Sequence, residues 1–271
     1  MRGALAAVLM LGLALTASCA ATRHGRRAPK MIVSFDASKI VDLTWAFGPD
    51  TIYWPTEKGF QLEPRAQGRT PGGFFYAANA FSAPEHGGTH LDAPRHFAED
   101  GLAADEIPLA AFVGPAVVVD VSKQATEDRD YRLTRADLEA WEKEHGQIPP
   151  HAIVLMRSGW GRFWPDRARY LGTAVPGDVT HLHFPGFSKE AAVWLVHERS
   201  PGAIGVDTAS MDHGPSTDFP VHQVVGAANV PTFENVAHLD LLPPEGATIV
   251  ALPMKIAGGT GAPLRIVGFL P

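Results

Sequence analysis

The stretch HGGTHLDAPRHF, residues 86 to 97, places His86, His90, Asp92 and His96 close together and breaks them up with two glycines and a proline. Imidazole nitrogens and a carboxylate are donors that Zn²⁺ accepts readily and that Mn²⁺ or Fe²⁺ also accepts. Gly87, Gly88 and Pro94 argue against a helix that would carry His86 and His90 on one face. In an extended segment His90 and Asp92 point the same way. A Gly-Gly turn can then return His86 beside them. The spacing predicts two imidazoles and a carboxylate converging on one cation. Thr89 and Arg95 are expected to hold the loop, Thr89 through backbone hydrogen bonds.

A bound divalent ion lowers the pKa of water from about 16 to near 7 and polarises a carbonyl. His96, just outside the ligands, would then carry protons, from water as a base and to a leaving amine as an acid. The reaction class this supports is metal-assisted hydrolysis at a carbonyl. Other routes have little support in the residues. The chain has no Gly-x-Ser-x-Gly element. Its one cysteine, Cys19, lies in an apolar leader. No Gly-rich dinucleotide loop follows a strand convincingly.

The same segment resembles the His-x-Gly-Thr-His-x-Asp-x-Pro-x-His signature of the cyclase-like metal hydrolases, which include kynurenine formamidases and isatin hydrolases. Every fixed position is met, and the resemblance runs from about residue 40 to the end. It implies that His86, His90 and Asp92 are metal ligands and that His96 transfers protons. It further implies that His222 and Glu234, twelve residues apart in this sequence, complete a site of one or two ions. Without the resemblance both would read as structural, Glu234 at a helix start. The implied fold is an α/β swivelling β/β/α-type single domain with a mixed sheet, assembled as a dimer or tetramer. Zn²⁺ is the expected ion and Mn²⁺ the alternative. The expected substrate is a small aromatic amide such as N-formylkynurenine. An isatin-like cyclic amide is the alternative, and a non-catalytic periplasmic metal- or small-molecule-binding protein is a third reading.

The elements that must position these residues are legible in outline. Continuous β-branched and apolar runs at 114–121 and 152–160 predict buried strands. Further strands are expected at 39–47, 74–81, 203–210, 248–256 and 264–270. Two helices are expected, at 133–146 behind a Thr134 cap and at 188–198 behind Ser188. Residues 48–85, rich in Pro and Gly, are expected to form loops and short strands around a mouth. Trp45, Tyr53, Trp54, Phe74, Phe75 and Tyr76, with Trp160, Phe163 and Trp164, supply aromatic surface for that mouth or for the core. Asp207 is read either as orienting a ligand histidine or as capping a turn. Arg157 is read either as pairing with a substrate carboxylate or as part of a structural ion pair. His181 and His183 are read either as facing the substrate mouth or as solvated loop residues, Ser216 either as a hydrogen-bond partner of substrate or as a turn residue, and the role of His213 is left open.

The chain has 271 residues, 45% of them hydrophobic and 19% charged, with 27 Gly and 23 Pro. That is enough apolar material for a large core with many turns. A net charge of -6 and the lack of a long basic stretch in the main body make nucleic acid an unexpected partner. Residues 1–20 read as an export signal, with Arg2 before the apolar run Ala4 to Leu15. Cleavage follows near Ala20, or a lipid is attached at Cys19, where Thr16 departs from the usual lipoprotein box. The second route would tether the protein to the cell envelope; the first would leave it periplasmic. Residues 21–38 read as a spacer and 39–271 as the catalytic domain.

Overall fold

In a computed structural model, which describes residues 36–271, the apolar runs of the sequence become the staves of a closed sheet. Residues 1–35, on which the expected export signal, Cys19 and most of the expected spacer 21–38 fall, lie outside the described residues. In chain order come β1 (Ile40–Asp42), β2 (Gln61–Arg69), β3 (Phe75–Ser82), β4 (His90–Asp92) and β5 (Val113–Asp120). Helix α1 (Ser122–Glu127), β6 (Arg132–Leu133), α2 (Arg135–His145), β7 (Ile153–Arg157) and α3 (Arg167–Leu171) follow. The chain continues through β8 (Gly186–Phe187), α4 (Lys189–Glu198), β9 (Ala203–Val206) and α5 (Pro220–Ala227). It ends with β10 (Thr232–Glu234), β11 (Thr248–Pro253) and β12 (Gly261–Phe269).

The sheet order is β1-β12-β11-β5-β7-β9-β10-β4, and β4 also pairs with β12. Seven strands therefore close into a barrel, with β1 added on the outside edge of β12. The run β5-β7-β9-β10 is parallel, and the remaining pairings are antiparallel. This is the expected mixed α/β arrangement.

Alternation along the strands explains why they read as unbroken apolar runs. Ala116, Val118, Ile153 and Leu155 point into the barrel with Phe233, Ile249 and Ile266. Their neighbours Val117, Val119, Val154 and Met156 point outward against Leu138 and Trp141 of α2, Leu195 of α4 and Val225 of α5. Both faces are buried, so neither alternates with polar residues. Each fully buried large side chain contributes about 1.5–3 kcal/mol relative to exposure.

Helix α2 begins as its sequence predicts. The Thr134 hydroxyl accepts from the Asp137 N–H at 3.2 Å, and the Asp137 carboxylate accepts from the Thr134 N–H at 2.7 Å. Three helices were not expected from the sequence: α1, α3 and α5. In the 48–85 region β3 fits the strand expected at 74–81, while its long partner β2 was not expected. Half of the region is a long antiparallel hairpin, β2–β3, with a bulge between Pro64 and Ala66. Its side chains pack on little else, and Leu62, Phe75, Tyr76 and Phe81 are each more than half exposed.

Candidate metal centre

Strand β4 is three residues long and sits between β10 and β12. Leu91 points into the barrel and is fully buried, so His90 and Asp92 face the other way together. The antiparallel register sets Glu234 directly opposite His90, on the same face and within side-chain reach. Glu234 thus closes a strand; it does not start a helix.

Two glycines bring His86 back to this face. Gly87 and Gly88 have φ of 153° and 57°. A Cβ on Gly87 would lie 2.0 Å from the Tyr53 ring, so that contact requires glycine. The His86 Nδ1 lies 2.6 Å from Asp92 Oδ1, and its Nε2 lies 3.0 Å from the Thr260 hydroxyl. His222 comes from the first turn of α5. Its Nε2 lies 3.2 Å from Asp92 Oδ2 and 3.1 Å from Glu234 Oε1. The five expected ligand residues are therefore all brought to one place.

Asp212 was not singled out by the sequence as the partner of a site histidine. Its Oδ2 lies 2.7 Å from His222 Nδ1, and its carboxylate accepts from the Val221 and His222 N–H groups. It caps α5 and aims His222 at once. Asp207, the residue considered for that task, instead accepts from the Ser158 N–H and hydroxyl and from the Trp160 N–H. The signal that could have found Asp212 is its place after strand β9, where α/β sites often gather, and ahead of the Pro-initiated α5.

His90 Nδ1 lies 3.0 Å from the Gly88 carbonyl. That carbonyl can only accept, so Nδ1 carries the proton and Nε2 is free to face Asp92 at 3.1 Å and Glu234 at 3.5 Å. Thr89 holds the loop as expected, donating to the Asn235 carbonyl and accepting from the Trp45 N–H. Arg95 does likewise through the Gly101 carbonyl.

The charges in this cluster are strongly coupled. Burial opposes charge on His90 and His222, yet the carboxylates prevail. Asp92 and Glu234 hold His90 above the ordinary imidazole range, and Asp212, Asp92 and Glu234 hold His222 well above it. Burial alone would raise Asp92, but His86, His90 and the His222 hydrogen bond hold it well below the usual carboxylate range. Glu234 is raised by burial and then by the charge of Asp92. His96 stands at the mouth, its ring stacked on His86 at 3.8 Å. Enclosure of the ring lowers its pKa to about 4, with Asp92 opposing and His86 and His222 adding to the drop. His96 is accordingly neutral at pH 7, although part of its side chain meets solvent.

A cavity of about 320 Å³ opens over the cluster. Tyr53, Trp54, Phe97 and Phe219 form its aromatic wall. The Tyr53 hydroxyl is buried without a hydrogen-bond partner. Phe97 and Phe219 were not expected there. The other aromatic candidates go elsewhere. Trp160 sits in a separate core with Phe163 and Trp164 packed against it, Phe74 to Tyr76 lie on or beside the hairpin, and Trp45 borders a second cavity. Arg157 pairs with Asp120, while His181 and His183 pair with Asp178 and Asp130 on the surface.

Two overlapping groups, His90–Asp92–Glu234 and His86–Asp92–His96, each bring three potential ligand atoms within 4.8 Å of one another. Buried imidazole nitrogens and carboxylate oxygens in this arrangement suit Zn²⁺ or Mn²⁺. Asp92 belongs to both groups.

Residues 41–213 match a family model described as Putative cyclase. The chain is 33% identical over 254 residues to an isatin hydrolase of Roseibium aggregatum, covering 86% of this chain and 92% of that protein. It is 31% identical over 232 residues to a kynurenine formamidase of Salinibacter ruber, covering 84% and 96%. Among solved structures, isatin hydrolase A from Ralstonia solanacearum superposes with a TM-score of 0.78 at 37% identity, covering 86% of this chain and 92% of that one. An isatin hydrolase bound to the product analogue thioisatinate gives 0.79 at 31% identity, with the same coverage. These relatives do not favour a non-catalytic binding protein. Their sequences, their shared fold and the convergent histidine–carboxylate cluster lead to one assignment: this chain belongs to the putative cyclase family and is a metal-dependent hydrolase.

Proposed function

We propose that the enzyme cleaves the amide C–N bond of a small aromatic amide, with an aryl formamide of the N-formylkynurenine type as the first reading. The observation that carries this is Asp92 held among His86, His90 and His222 under a cavity walled by aromatic rings. His86, His90, Asp92, His222 and Glu234 would hold one or two ions, Zn²⁺ first and Mn²⁺ second. The bound ion would supply a Lewis acid that polarises the amide carbonyl and acidifies water. Trp54, Phe97 and Phe219 flank the substrate ring. The unpartnered Tyr53 hydroxyl is a donor available to it. Neutral His96 takes a proton from the attacking water and returns it to the leaving nitrogen.

An isatin-like cyclic amide is a second reading, favoured by the 37% identity to an isatin hydrolase. Protein purified without chelator should contain Zn²⁺ or Mn²⁺ and hydrolyse N-formylkynurenine, isatin or a simple formanilide. The ratio of kcat/KM values selects between the readings. Full activity from metal-free protein, or no hydrolysis of any of the three, would defeat the proposal.

Asp212 acts through His222, so Asp212→Asn should weaken metal binding by about 10–100-fold. Competition with a chromophoric chelator measures this, and unchanged affinity would leave Asp212 as a helix cap alone. Uptake should also release protons. His90 and His222 retain protons above their ordinary range in the ion-free protein, and ligation requires them neutral on the bonding nitrogen. Affinity should therefore rise as pH increases above about 6.5. Calorimetry in buffers of different ionisation enthalpy reads the proton count, and a buffer-independent enthalpy would contradict this.

The proposal includes a homo-oligomer and the exported location expected from residues 1–20. A two-stranded hairpin is marginal alone, and β2–β3 exposes Leu62 and Phe81 opposite each other on one face. A second copy covering that face would stabilise it. Replacing Phe75 and Phe81 with serine should then shift the sedimentation coefficient to that of a monomer. An unchanged coefficient would place any assembly contact elsewhere.

A further inference from the structure

A second cavity, of about 420 Å³, lies at the carboxyl ends of the parallel strands β5, β7 and β9. That volume is within the ordinary range for small-ligand sites, about 300–1,000 Å³. The ends of parallel strands are where α/β proteins commonly bind ligands. Ser122, Arg157 and Asp207, which line it, end or follow these three strands. None of its lining residues also lines the metal cavity. Trp45, on the wall of this second cavity, donates its backbone N–H to the Thr89 hydroxyl.

The chemistry of its walls is that of a donor-rich pocket. Arg157 commits Nη1 to Asp120 at 2.8 Å, while its buried Nε has no partner. The buried indole Nε1 of Trp45 has none either. Both unpartnered atoms in the walls are donors, and a buried donor without an acceptor is costly. Arg162 has no carboxylate partner among the described residues and lies over the Phe163 ring. The acidic groups nearby are mostly engaged. Asp207 accepts from the Ser158 N–H and hydroxyl and the Trp160 N–H, and Asp120 accepts from Arg157 and the Ser122 N–H. Asp240 lines the cavity and is exposed, as is Asp120 beside Arg157. Trp45 and Leu239 add an apolar side. Trp45 is itself fixed by stacking on Trp164 at 5.2 Å.

We propose that this cavity binds a small organic carboxylate, with its oxygens on Arg157 and Arg162 and its apolar body against Trp45 and Leu239. The inference does not depend on which amide the metal centre hydrolyses. Benzoate is the probe. Added to the metal-loaded protein, it should produce a saturable shift of the Trp45 indole N–H resonance, assigned through Trp45→Phe. Arg162→Ala should weaken that binding at least tenfold while leaving kcat/KM without benzoate within twofold. Arg157→Gln should weaken it as well. The shift should persist in Asp92→Asn, whose lesion lies in the other cavity. An absent shift, an undiminished affinity in Arg162→Ala, or loss of binding in Asp92→Asn would overturn the proposal.

Discussion

Asp92→Asn is expected to empty the metal centre and lower kcat/KM by about a thousandfold or more, equivalent to about 4 kcal/mol of barrier. Asp92 is the residue common to both candidate ligand groups. Its two oxygens face different partners, Oδ1 toward His86 and His90 and Oδ2 toward His222. Asparagine keeps the shape and leaves the β4 ladder its backbone bonds, but it removes the charge and one acceptor. Without that charge the crowded imidazoles lose the group that offsets their burial. Elemental analysis should find little metal, while far-UV circular dichroism should retain the wild-type spectrum. A variant that kept its metal and more than a tenth of its activity would remove Asp92 from the centre of the mechanism.

His96→Ala should behave differently. We expect kcat to fall by about 10²–10⁴-fold, the usual range for a lost acid–base group, with metal content unchanged. The difference follows from position. His96 is stacked against His86 at the mouth, whereas the buried groups beneath it surround Asp92. Its lowered pKa keeps it an acceptor at neutral pH. Assays at saturating substrate, paired with metal analysis, separate the two roles. Loss of metal would instead assign His96 to the His86–Asp92 group as a ligand. Unchanged kcat would exclude it from proton transfer.

Much of the barrel could be read from residues, for a definite reason. Strands β5 and β7 are buried on both faces, so Val117 to Val119 and Ile153 to Met156 appear as uninterrupted apolar runs. Helix α2 announces itself through a cap only three residues from its partner. Helix α5 does not, because the carboxylate that receives its first N–H groups is Asp212, several residues upstream across a turn. The β2–β3 hairpin is legible only in part: its second strand fits the run expected at 74–81, and its first is hard to see. Its Ala, Asn, Gln and Gly residues carry no core-facing stripe, since the hairpin borders little of the core. In the site, the local cluster from His86 to His96 was visible from type and spacing. The pairing of Glu234 with His90 was not, because strand register is a tertiary fact. Only family resemblance pointed to that residue and to His222.

The brevity of β4 has a mechanical outcome. Three residues both complete the ring of staves and carry two of the candidate ligands. An ion gripped there would act as a rivet in the hoop, tying the last seam of the barrel to the groups that do the chemistry. Any fluctuation that parts β4 from β10 or β12 would scatter those ligands, and any occupant of the centre would resist that parting by mass action.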